Sequence, residues 1–96
     1  MKVVKRTNNK VSLGKVVRNF KDYIFVYDAR DEVQPEFDDF YILVKSGDFY
    51  SWRSIFNNIV FAESDNVREA VQIVDIENMY AFKYYETFAN WLLKNK

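Results

Sequence analysis

The chain has 96 residues, with 14 Lys and Arg against 14 Asp and Glu, 49% hydrophobic and 19% aromatic content, and neither cysteine nor histidine. That length holds one domain, 1–96, since independent domains rarely fall below about 50 residues, and the apolar content excludes intrinsic disorder. Without cysteine there is no disulfide or zinc–thiolate staple, so the fold must be held by packing, which suits a reducing compartment. Without histidine the commonest general base and metal ligand is missing.

A formal net charge of zero hides a strong polarity. Met1 to Lys21 carries seven cations and no acid. From Asp22 to Asp48 eight acids meet only Arg30 and Lys45, and Phe49 to Lys96 is nearly neutral. The basic start lacks the apolar stretch of a secretory signal. The longest apolar runs, Tyr23 to Tyr27 and Phe40 to Val44, are too short to span a membrane, so the sequence reads as soluble and cytoplasmic. Abundant Lys, Asn, Phe and Tyr beside scarce Ala, Gly and Pro follow the usage of AT-rich genomes, such as low-GC bacteria and their phages.

In chain order, Lys2 to Lys5 is a short strand-like run ending in the polar turn signal Thr7-Asn8-Asn9-Lys10. Val11 to Arg18 and Tyr23 to Ala29 are rich in strand formers and, joined through Asn19 to Asp22, predict an antiparallel hairpin. In that register Val11, Leu13, Val17, Ile24 and Val26 make an aliphatic core face, leaving Tyr23, Phe25 and Tyr27 as an aromatic ladder on the other. Arg30 to Asp39 is an acidic connection containing the single proline, Pro35, and Phe40 to Lys45 resumes as a strand. Beyond the turn signal Ser46-Gly47-Asp48, residues Phe49, Trp52, Ile55, Phe56, Ile59 and Val60 share an arc of about 140° on a helical wheel and predict a helix. The alternative there is a hairpin turning at Asn57-Asn58. Asn66-x-x-Glu69 resembles a capping box for a helix from Val67 to about Asp75, and a last helix is predicted from about Glu77 to Lys94. The expected fold class is α+β: a small antiparallel sheet from the N-terminal half packed against two to three C-terminal helices.

Three sets of residues are candidates for contact with a partner. On the final helix Tyr80, Tyr84 and Trp91, with Phe88 at the border, form an aromatic stripe beyond the side needed for docking, the composition of a protein interface unless a neighbouring helix covers it. Asp28, Asp31, Glu32, Glu36, Asp38 and Asp39 form an acidic loop suited to a basic partner protein. The loop lacks the spacing of an EF-hand, and Lys45 has Leu43 where a metal-dependent nuclease needs an acid, so no metal is assigned. Lys15 and Arg18 with the ladder Tyr23, Phe25 and Tyr27 suggest single-stranded nucleic acid, cations meeting phosphates while rings stack on bases. An RNP1-type signature is absent, and the strands are followed by acids.

Catalysis is discounted: no histidine, no thiol, and only Gly14 and Gly47 where a phosphate loop needs several glycines. No cofactor is implied. The expected function is therefore a small noncatalytic protein-binding module, of the accessory or inhibitory kind that phages and mobile elements encode, acting by surface occlusion or charge mimicry. Nucleic-acid binding and a symmetric homo-oligomer, such as a dimer, are the alternatives.

Overall fold

A computed structural model describes residues 11–30 and 39–95. Its element order is α1 (Leu13–Asn19), β1 (Ile24–Asp28), β2 (Phe40–Ser46), β3 (Phe49–Ser54), β4 (Val60–Ser64), α2 (Val67–Ile73), a single 3-10 turn (Ile76–Asn78), β5 (Met79–Phe82) and α3 (Tyr85–Asn95). The five strands form one antiparallel sheet in the order β4-β3-β2-β1-β5. The class is α+β as expected, with helices on both faces of the sheet.

The segment from Val11 to Arg18, expected as a strand, is helical from Leu13. Ser12 caps it, its Oγ accepting from the Lys15 backbone N–H at 3.3 Å. Leu13, Val16, Val17 and Phe20 have the i, i+3, i+4, i+7 spacing of one helix face, and Val16 is fully buried. Burial of that face overrides the strand preference of its valines. With the expected hairpin gone, β1 takes β2 and β5 as neighbours, and the aromatic side of β1 becomes core: Phe25 and Tyr27 are buried.

Residues 49–64 form a hairpin, not the expected helix, and the alternative turn at Asn57-Asn58 is the one observed. Gly47 at φ 62° lets the chain reverse from β2 into β3. Ser54 Oγ accepts from the backbone N–H groups of Phe56 and Asn57, Asn57 Oδ1 accepts from Ile59 N–H, and Asn58 sits at φ 67°. These side-chain bonds claim the amide groups that a helix would need. The expected helix from Glu77 is also divided: Met79–Phe82 pairs with β1 as an edge strand, all four residues buried, and the helix begins only after Lys83 and Tyr84. The cap at Asn66 forms as read, its Oδ1 accepting from Glu69 N–H at 3.1 Å.

The first face of the sheet is covered by α1 and α2. Its core holds Val16, Phe25, Tyr27, Tyr41, Leu43, Trp52, Ala70, Val71 and Met79. Phe61, at a register irregularity between β3 and β4, packs its ring on Tyr27 and Tyr41 with centroids 6.0 and 5.3 Å away. The second face is covered by α3, whose Phe88, Trp91 and Leu92 pack on Ile24, Val26, Phe40, Ile42, Ile55, Tyr80 and Phe82.

Candidate binding surfaces

The expected aromatic stripe does not exist as one helix face. Tyr80 lies on β5 and is buried, Phe88 is buried, and the Trp91 ring stands 5.0 Å from Tyr80, 5.4 Å from Phe82 and 5.4 Å from Phe40. These three residues are what docks α3 onto the sheet, because α3 starts after β5 and turns the 88, 91, 92 side inward. Tyr84 alone of the four is exposed, at 64%. Sequence periodicity treated 77–94 as one rod, and the strand inside it moved Tyr80 to another element.

The acidic set is also divided. Asp28 is buried, and both its oxygens accept from Arg30: Oδ1 from the backbone N–H at 3.0 Å and Nε at 2.9 Å, Oδ2 from Nη2 at 2.7 Å. Arg30 also donates from Nη1 to the Asn95 carbonyl at 2.8 Å and lies over the Phe40 ring, tying the end of β1 to the end of α3. Its hydrogen bonds to Asp28 raise the guanidinium pKa above its ordinary range. Asp28 is thus spent inside the fold and is not presented to a partner. Asp39 is exposed, and its carbonyl accepts from Ala29 N–H at 2.7 Å, which closes the base of the β1–β2 connection. Asp31, Glu32, Glu36 and Asp38 lie outside the described residues.

The nucleic-acid set is rearranged in the same way. Phe25 and Tyr27 are buried under α1 and α2 and offer no stacking surface, while Tyr23 is half-buried with the Lys15 ammonium 4.8 Å from its ring centroid. Lys15 and Arg18 stand on a helix. Among the described residues no group of three or more acids could hold a metal ion, and no helix is long and apolar enough to cross a membrane.

A different surface was missed in the sequence. Cross-strand pairing sets Ile42, Arg53 and Val60 in one row, and Ile42 belongs to the second core, so that row faces the α3 side. Two residues along, Val44, Ser51 and Glu63 form the next row of the same face, with Phe49 beyond. The second core reaches β5, β1, β2 and Ile55, whereas Phe49, Val60 and Glu63 remain exposed and Arg53 half-buried. The face is continued by the β3–β4 tip, where Phe56, Ile59 and Val60 are 47%, 44% and 39% exposed. The polar groups around it are Asn57, Asn58, Arg53 and Glu63, the last accepting from Ser51 Oγ at 3.2 Å. The sequence signal for this surface was the Asn57-Asn58 pair, which marks a tip; a helical reading spreads the same apolar residues over a buried stripe.

Strand directions place the tip, both ends of the β1–β2 connection and the C-terminal end of α3 at one end of the sheet, and the Gly47 turn at the other. No protein-family model, curated protein or solved structure matches the chain.

Proposed function

We propose that the chain is a noncatalytic protein-binding module whose contact surface is the part of the second sheet face that α3 leaves open, anchored by the β3–β4 tip. The observation that carries this reading is the concentration of exposed Phe56, Ile59 and Val60 within five residues. Singly exposed apolar side chains are ordinary, but a cluster rimmed by amides and opposite charges has the composition of a contact patch. The acidic connection adds direction: Asp31, Glu32, Glu36, Asp38 and Asp39 have no cation among them in the sequence, and the charge of Arg30 is already answered by Asp28. Such a field speeds encounter with a basic partner. Binding there acts by steric occlusion, in keeping with an accessory or inhibitory protein of a mobile element.

The test is a photo-crosslinking amino acid placed at Phe56, or at exposed Thr87 on α3 as control, in the cells that express the protein. A discrete protein adduct from position 56 and none from 87 supports the reading; equal labelling, or none from 56, removes it. Light scattering on the purified chain identifies the case in which the partner is a second copy.

A further inference from the structure

At the Gly47 end of the sheet, opposite the tip, the end of α1 and the start of α2 enclose a hollow of about 320 Å³ lined by Val17, Arg18, Phe20, Lys21, Asp22, Tyr50 and Val67. Its floor is aromatic: Phe20 meets Tyr50 edge to face at 5.2 Å. Arg18 and Lys21 are exposed, and neither has an ion-pair or hydrogen-bond partner among the described residues. Lys45, outside the lining, stands opposite Tyr50 in the β2–β3 ladder with its Nζ 5.5 Å from that ring's centroid and donates to the Gly47 carbonyl at 2.6 Å. Asp22 is the one acid of the lining among the described residues. The carbonyl of Asn19 at the end of α1 is occupied by Asp22 N–H at 2.9 Å and so does not face an incoming anion unpaired.

We infer that this hollow is a phosphate site for a single-stranded nucleic acid. The two exposed cations of the lining, beside its aromatic floor, supply both parts of single-strand recognition, charge for the phosphodiester and ring surface for the base. Arg18 offers a planar fork to phosphate oxygens, and Lys21 acts as a point charge. Asp22 opposes part of that charge and is an acceptor for a base amine or sugar hydroxyl. The site uses Arg18 from the residues the sequence suggested, but on a helix and with Tyr50, not with the buried ladder of Phe25 and Tyr27. It is independent of the protein-binding reading, because it lies at the other end of the sheet.

The experiment is fluorescence anisotropy with a labelled oligothymidylate of about twelve nucleotides, titrated at several salt concentrations between about 20 and 200 mM. Expected is binding that weakens with salt and falls roughly tenfold or more in Arg18→Glu with Lys21→Glu, with the salt slope reduced by about 0.7 for each contact removed. Lys83→Glu with Lys94→Glu makes the same change in net charge away from the hollow and is expected to retain binding. Arg18→Gln with Lys21→Gln replaces the first pair if its melting temperature drops. Absence of binding at the lowest salt, or equal losses in the two double variants, overturns the proposal. Competition by sodium phosphate and by thymidine monophosphate at matched ionic strength separates the sources. Displacement by either confirms a phosphate site, and a monophosphate that binds as tightly as the oligonucleotide overturns the assignment to a strand.

Discussion

The two faces of the sheet each take in a tryptophan, wholly on one and in part on the other, and on different terms. On the first face Trp52 is fully buried and its indole Nε1–H donates to the Ala70 carbonyl of α2 at 2.9 Å. On the second face Trp91 packs among Phe40, Tyr80 and Phe82, and its Nε1 is buried without a hydrogen-bond partner among the described residues. A buried donor left unpaired costs about 1–3 kcal/mol against a paired one. The first face is therefore tied as well as packed, and α2 is fixed in position by a bond of defined direction. The second is packed only, by a helix that also leaves part of its own sheet face open. The stability of the domain and its proposed contact surface are thus allotted to opposite sides.

The largest expected effect is on the tied side. Trp52→Ala removes a fully buried ring and unpairs the Ala70 carbonyl, for a loss of about 3–5 kcal/mol in urea unfolding. Conservative replacement sharpens the contrast: Trp52→Phe should cost about 1–3 kcal/mol, because the carbonyl is orphaned, whereas Trp91→Phe breaks no hydrogen bond and should cost less than about 1 kcal/mol. If both Phe variants are destabilised alike, the difference between the faces does not hold.

Arg30→Leu comes next. It strips the buried Asp28 carboxylate of its guanidinium and frees the end of α3, but Arg30 is itself 38% exposed, so a loss of about 1–2 kcal/mol is expected. The raised pKa of Arg30 contributes stability that is full below its unfolded value and is lost only as pH rises through the folded one. Alkaline titration within the range where the chain stays soluble should therefore leave the difference between wild type and Arg30→Leu unchanged on this account.

Gly47→Ala and Asn66→Ala probe local signals at about 1 kcal/mol each. At Gly47 a Cβ would meet nothing within 4 Å, so that loss would be purely conformational, a consequence of φ 62°. At Asn66 it would come from the unpaired amide of Glu69, loosening the helix on the tied face. The smallest effect belongs to Ile59→Ser with Val60→Thr, expected to shift stability by less than about 0.5 kcal/mol while abolishing the crosslink from position 56. A large drop in melting temperature would make those residues structural.

The parts of the fold legible in the sequence were those with a local cause. β1 and β2 match short apolar runs that end in charge, and α2 starts where Asn66 and Glu69 announce it. The candidate sites were less legible, because exposure depends on neighbours. Tyr80, Phe25 and Tyr27 are aromatic residues of the type that binds partners, yet each is covered by another element, Tyr80 by α3 and the other two by α1 and α2. Asp28 has the chemistry of a surface acid and is buried because Arg30, two residues on, turns back onto it. Phe56 and Ile59 fit a helical stripe by spacing alone, and it was the hydrogen bonds of Ser54 and Asn57 that placed them on a tip.

By itself, then, the sequence determined the α+β class, two central strands and a capped helix, since caps, turns and apolar runs act over a few residues. Tertiary structure decided the remainder: that Leu13–Asn19 winds as a helix, that 49–64 is a hairpin, and that Met79–Phe82 leaves its helix to pair with β1. In each of these segments the apolar residues satisfy two periods, and the period that prevails is the one that completes the sheet's hydrogen bonds and closes its cores with partners far along the chain.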